Sequence, residues 1–201
     1  MPPKLWNVIA TETDKSYRVF NLRTDRAVSP RTGNDHDFFI LESSPWVNVI
    51  PITPQNQVIL VRQYRHGIRA LTLEIPGGLV ESQDTPERAA VRELYEETGY
   101  RAEKVISLGS TYPNPAIQNN LCHSFLAKNA FHAGPQNQDD KEDIEVVKYP
   151  LDDIPGLIRS GEINHGLVLV AFYRFYMEYQ PCIHQKQTRV TNISDSQKCH
   201  T

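Results

Sequence analysis

The sequence predicts a mixed α/β domain in which strands outnumber helices, and three observations carry that expectation. Residues 46–53, WVNVIPIT, and 57–64, QVILVRQY, are rich in β-branched residues and read as neighbouring, largely buried strands. Residues 1–45 show no helical periodicity and read as strands as well. Residues 86–98, by contrast, carry helix signals at both ends.

The elements follow in order. SYRVFNLRTDRAV alternates polar and apolar residues from Tyr17 to Leu22, SPRTGND supplies turn residues, and DFFILE is a further extended run. Pro45 marks a boundary before the buried pair of strands, which is joined through the turn residues Pro54 to Asn56. LTLEIPGG reads as a short strand ending in a Pro-Gly-Gly turn. The helix from about Pro86 to Thr98 has Asp84 as a possible cap, with Glu87 three residues later as in a capping box. Pro86 falls in the first turn, where a missing N–H is harmless, and Gly99 can supply a left-handed stop. Strands are then expected near KVISLGSTY and LCHSFLA, followed by a polar loop from His132 to Glu142 and the strand IEVVKYP. LDDIPGLIRSG reads as a short helix with Asp152 or Asp153 near its start and Gly161 as its stop. A helix from His165 to about Glu178 is apolar around most of its face and is expected to be buried. From Pro181 onward the chain is polar and aperiodic, and a mobile tail is expected over 181–201. The expected organisation is thus a β region over 1–45, a main domain over 46–180, and that tail.

Composition narrows the function classes. The chain has 201 residues, with 21 basic and 24 acidic side chains and a formal net charge of −3. No sustained basic stripe appears, so nucleic acid is not an expected partner. Cys122, Cys182 and Cys199 are odd in number and lack ligand spacing, which favours a reduced, intracellular protein. MPPKLWNVIATETDK has no apolar run of signal-peptide length, and GLVLVAFYRFYMEY is short and broken by Arg174. No membrane association is expected, and the expected location is cytoplasmic, where the sequon at Asn192 has no meaning.

The chemistry lies in GLVESQDTPERAAVRELYEETGY, Gly78 to Tyr100. At about 100° per residue, Glu93, Glu96 and Glu97 fall within one arc of roughly 100° on the helix, while Ala90, Val91 and Leu94 lie to one side as an anchor. Like charges at this spacing repel. A solvated acidic face would explain them on an ordinary helix. Here they occupy the last turn, beside the negative end of the helix dipole, where lysines would be favoured. A cation is missing from the sequence, and clustered carboxylates suit hard ions such as Mg²⁺ or Mn²⁺.

These residues resemble the Nudix box, Gly-x5-Glu-x7-Arg-Glu-U-x-Glu-Glu-x-Gly-U, where U is bulky and aliphatic. Gly78, Arg92, Glu93, Leu94, Glu96, Glu97 and Gly99 match in register. Asp84 stands where the first glutamate is usual and Tyr100 where an aliphatic residue is usual. The resemblance implies an α/β/α sandwich with a mixed β-sheet, and a metal-dependent hydrolase of compounds holding a nucleoside diphosphate. It implies metal ligands at Glu93, Glu96, Glu97 and the Gly77 carbonyl, with Arg92 orienting Glu93. Asp84 would either steady Arg92 or cap the helix.

Beyond the box, VRQYRHGIRALTLEIPGGLVE resembles the matching segment of ADP-ribose and nucleoside-diphosphate-sugar pyrophosphatases. That likeness implies a substrate-phosphate contact at Arg65, a pocket position for Glu74, and a substrate-side role for Pro115. After Pro115 the charged run usual in that branch is replaced by Ile117-Gln118-Asn119-Asn120-Leu121, so part of the substrate would be read by neutral amides. Asp140-Lys141-Glu142-Asp143-Ile144 resembles the loop supplying a further carboxylate, with Glu142 as a metal-linked ligand and Asp140 as the candidate base. His123 and Cys122 read as structural. Trp6 and Trp46 read as packing residues, with stacking on a nucleobase as the alternative. Residues 1–45 resemble the small antiparallel β region through which this branch forms a homodimer. Two other readings stay open: a nucleotide sensor without catalysis, and an enzyme of dinucleoside polyphosphates or nucleoside triphosphates.

Overall fold

The computed structural model describes residues 2–138 and 143–179. Its N-terminal part is a three-stranded antiparallel sheet of β1 (Asn7–Ser16), β2 (Asn21–Val28) and β3 (Asp35–Glu42). The alternating stretch from Tyr17 divides differently from the sequence expectation: Tyr17 to Phe20 forms the hairpin turn, closed by Tyr17 N–H donating to the Phe20 carbonyl at 2.8 Å. Turns tolerate such alternation as readily as strands do, and the preceding NVIATETDKS supplies the pairing partner instead.

The main body is a mixed sheet in the order β10-β5-β4-β9-β8. It comprises β4 (Trp46–Ile52), β5 (Gln57–Arg65), β8 (Tyr100–Thr111), β9 (Cys122–His132) and β10 (Glu145–Pro150). β4 runs parallel to β9, and the other pairings along this path are antiparallel. β4 and β5 pair only at Ile52 and Val58. Beyond that point each takes another neighbour: β6 (Ala70–Glu74) lies along β5, and β7 (Gly77–Leu79) lies along β4. The expected Pro-Gly-Gly turn is therefore a crossing, in which Ile75 and Pro76 carry the chain from one arm of the fork to the other and both glycines enter a strand. Val49 N–H donating to the Pro76 carbonyl at 2.9 Å fixes the crossing.

Side-chain alternation along the strands divides the core in two. On one face Val47, Val49, Phe125 and Ala127 pack against Ala89, Ala90 and Leu94 of α1 (Pro86–Thr98). On the other, Ile50, Leu60, Leu108 and Leu126 pack against Ile154 of α2 (Ile154–Ser160) and Val168, Phe172 and Phe175 of α3 (Gly166–Tyr179). The result is a helix–sheet–helix sandwich. α3 is amphipathic rather than buried all round, since Tyr173 and Met177 are exposed. Val91, expected among the anchoring residues of α1, is exposed as well. Among the described residues no helix is long and apolar enough to cross a membrane.

Candidate active site

The fork between β4 and β5 opens into a cavity of about 740 Å³. Trp46 and Asn48 of β4, Arg65 of β5, Thr72 and Glu74 of β6, Gly77 to Leu79, and residues 164–168 at the head of α3 line it. The helix carboxylates are not themselves part of this lining. The two meet at Gly77 and Gly78: Gly77 N–H donates to Glu97 Oε2 at 3.0 Å, and a Cβ added at Gly78 would lie 2.4 Å from Glu93 Oε1. A Cβ at Gly77 would strike the Val47 carbonyl at 2.3 Å. Gly78 thus lets backbone lie directly against the acidic turn of α1, and Gly77 lets it lie directly against β4.

α1 keeps its expected bounds, but its cap is Thr85, whose hydroxyl accepts the Arg88 N–H at 3.2 Å. Asp84 is freed from capping and binds Arg92 Nε at 3.1 Å. Arg92 also reaches Glu93 and Glu96, each at 2.9 Å through Nη1, and the Leu79 carbonyl at 3.0 Å through Nη2. Burial alone would lower its pKa, yet the charge of Glu93 and hydrogen bonds to Glu96 and Asp84 hold it above its ordinary value. One guanidinium therefore serves three carboxylates.

Inside the cavity the arrangement is balanced. Arg65 Nε and Nη2 each donate to Glu74 at 2.7 Å, a bidentate pair, and Thr72 adds a hydroxyl bond of 2.6 Å to Glu74 Oε1. The Glu74 side chain is 3% exposed and that of Arg65 is 42% exposed. Burial would raise the Glu74 carboxyl, but the hydrogen bonds and charge of Arg65, with the Thr72 bond, bring it below its usual value. The guanidinium, held by Glu74, keeps an open face toward the cavity.

The last turn of α1 is tied to the loop that follows β9. Asn137 N–H donates to the Glu96 carbonyl at 2.8 Å, and Gln136 Nε2 bridges the carbonyls of Glu97 and Ile144 at 2.6 and 3.1 Å. Gln136 and Asn137 thus satisfy carbonyls that a helix end leaves open. Asp140 and Glu142, expected as base and metal ligand, lie outside the described residues.

The structure brings Arg65, Glu74 and Gly77 to the cavity and Arg92, Glu93, Glu96 and Glu97 to its edge, but not Pro115. That residue sits on an exposed turn outside the lining. The amides after it face the N-terminal sheet: Asn119 Nδ2 donates to Glu42 at 3.1 Å, and Asn120 Nδ2 to the Ser44 carbonyl at 3.4 Å. Leu41 N–H donates to the Ile117 carbonyl at 2.7 Å, so this segment latches β3 to the main body. Cys122 is buried and its thiol is pushed up to about 12 by desolvation, which leaves it inert at neutral pH. Trp6 lies outside the lining, edge-on to His36 and Phe38, whereas Trp46 is part of it. Asn48 and His165 were not legible as lining residues, although an asparagine within the apolar run WVNVIPIT was a signal in plain view.

The donor set fits a hard divalent cation. It is composed of oxygens only, Glu93 and Glu97 are 8% and 4% exposed, and Gly78 leaves the Glu93 carboxylate room that a Cβ would take. In the arrangement seen, Arg92 holds Glu93 and Glu96, and the Gly77 N–H holds Glu97. Among the described residues no three acidic, histidine or cysteine side chains gather as a ready-made metal site.

Known proteins resemble this chain in sequence and in fold. Residues 43–170 match the family described as NUDIX domain. An ADP-ribose pyrophosphatase of Bacillus subtilis strain 168 is 31% identical over 156 residues, covering 77% of this chain and 84% of that protein. A methanol dehydrogenase activator of Bacillus methanolicus is 30% identical over 179 residues, covering 89% of this chain and 95% of its own. A crystal structure of an ADP compounds hydrolase superposes with a TM-score of 0.76 over 96% of this chain and 100% of that one, at 19% identity. At that identity the superposition speaks for the fold.

Proposed function

The chain belongs to the Nudix family and is a pyrophosphohydrolase of it, and from that premise we propose that it hydrolyses the diphosphate bond of ADP-ribose or a related nucleoside-diphosphate sugar. The products are a nucleoside monophosphate and a sugar phosphate. The observation that carries this reading is the meeting of a substrate-sized cavity and an acidic helix turn at Gly77 and Gly78.

Each side chain then has a task. Arg65, fixed by Glu74 and Thr72, offers its open face to a phosphate and sets the diphosphate at the cavity edge. Arg92 holds Glu93 and Glu96 in place, and Asp84 braces Arg92 from the far end of the helix. Glu93, Glu96, Glu97 and the Gly77 carbonyl would hold the divalent ion, Mg²⁺ or Mn²⁺. When bound, such an ion offsets phosphate charge and makes water more acidic. Asp140 is the proposed base, with Glu142 as a further ligand. The exposed Trp6, Val8, Ile9 and Phe39 of the N-terminal segment and sheet support association as a homodimer.

A panel assay tests the reading. ADP-ribose, other nucleoside-diphosphate sugars, dinucleoside polyphosphates and nucleoside triphosphates are offered with Mg²⁺ or Mn²⁺, and products are resolved by chromatography. ADP-ribose or a nucleotide sugar is expected to give a nucleoside monophosphate. Turnover confined to triphosphates, or none at all, would overturn the proposal.

A further inference from the structure

Among the described residues, four buried side-chain atoms find no hydrogen-bond partner: Asn48 Oδ1, Asn120 Oδ1, His165 Nδ1 and Tyr176 Oη. Only Asn48 and His165 of these belong to the cavity lining. Asn48 is 6% exposed and stands in a strand that is otherwise apolar and buried. Leaving a buried carbonyl unpaired destabilises a protein, so the residue's presence calls for a reason.

The orientation of its amide is settled by its one bond. Asn48 Nδ2 donates to the Leu167 carbonyl at 3.2 Å, an acceptor that only the NH₂ end can satisfy, which leaves Oδ1 as the unanswered group. Leu167 lies in the first turn of α3, two residues beyond His165, whose carbonyl accepts the Val168 and Leu169 N–H groups. Both residues thus line the cavity where the head of α3 meets β4. Asn48 is also the register partner of Gly77, the residue at which cavity and carboxylates meet.

The chemistry of the missing partner follows. Asn48 Oδ1 accepts only, so a phosphate oxygen would face it acceptor to acceptor. A hydroxyl fits, since it can donate to Oδ1 and exchange a second bond with His165 Nδ1 in either direction. A molecule that places hydroxyls just beyond a diphosphate is a nucleoside-diphosphate sugar. We infer that Asn48 and His165 form a specificity pair that reads a hydroxyl of the sugar distal to the nucleotide. This rests on the reading of the cavity as the substrate site, and deepens it: the pair selects polyhydroxylated groups over plain phosphate esters.

The test compares two substrates, ADP-ribose and the pentyl ester of ADP, in which an alkyl chain replaces the distal sugar. Both are offered to the wild type, to Asn48→Leu and to His165→Phe. The wild type is expected to favour ADP-ribose by about tenfold or more in kcat/KM, because the ester leaves buried polar groups unpaired. Asn48→Leu should bring the ratio close to unity, and His165→Phe should lower it. His165 is only half-buried, so its variant carries the test alone should Asn48→Leu fail to fold. Equal turnover of the two compounds by the wild type, or full preference retained in both variants, would overturn the pair while leaving the pyrophosphatase reading standing. Silence of the wild type on both compounds and on the other nucleoside-diphosphate sugars of the panel would overturn that reading and the pair together.

Discussion

Two arginines in this molecule hold carboxylates in opposite ways. Arg65 bonds a single carboxylate, Glu74, through two bonds of 2.7 Å, with the charge of Glu97 acting on the same guanidinium. Arg92 is shared among Asp84, Glu93 and Glu96, three carboxylates to one guanidinium. A balanced buried pair positions a side chain and holds a fold. Carboxylates gathered toward the negative end of a helix dipole gain from a further cation. On the proposed function, the difference would separate a substrate-positioning device from a metal cradle within one active site.

The sharpest way to break this contrast is to remove one carboxylate from the acidic turn of α1. Glu97→Gln is expected to lower kcat by about 10²–10³ while circular dichroism shows an unchanged fold. Near-normal turnover with the same metal dependence would mean that this carboxylate has no part in the reaction. Next comes Gly78→Ala, whose Cβ would lie 2.4 Å from Glu93 Oε1. It should displace the carboxylate and reduce kcat about 10- to 100-fold, with a smaller effect on KM.

The balanced pair should answer in stability instead. Glu74→Gln removes the partner of a half-exposed Arg65 and is expected to cost about 1–3 kcal/mol in urea unfolding at pH 7, less than a fully buried pair would. The sign of its pH dependence follows from the carboxyl lying below its usual value in the fold. The stabilisation is present above the unfolded carboxylate pKa of about 4.3 and is lost as pH falls through the folded value. The gap between wild type and variant should therefore narrow on acidification; a gap that widens would contradict the pairing. Smallest is Thr85→Ala, expected to lower stability by about 1 kcal/mol through the lost cap while leaving kcat unchanged. An equal loss from Asp84→Ala with no change in kcat would assign Asp84 to the helix end after all.

Much of this arrangement was legible before the structure. Residues of α1 are fixed by local rules: proline in the first turn, glycine at the stop, and carboxylates in one arc, so its bounds and its acidic face followed from spacing alone. What was not legible depends on contacts distant in sequence. Thr85 and Asp84 are neighbouring residues equally able to cap, and the choice is made by Arg92, which draws Asp84 away. Gly77 and Gly78 carry ordinary turn chemistry, and only the parting of β4 from β5 makes them a strand. The amides Asn119 and Asn120 stand where the resemblance placed substrate contacts, yet they bind Glu42 and Ser44 across more than seventy residues of chain. His165 has no motif around it, and its place in the cavity comes from α3 docking against β4.

The central claim is that the acidic turn of α1 binds a divalent cation. Calorimetric titration of Mn²⁺ into the wild type and into the Glu93→Gln/Glu97→Gln double variant, without nucleotide, tests it most directly. The account predicts saturable binding by the wild type, weakened at least tenfold in the folded double variant. Equal affinity in the two proteins would contradict it.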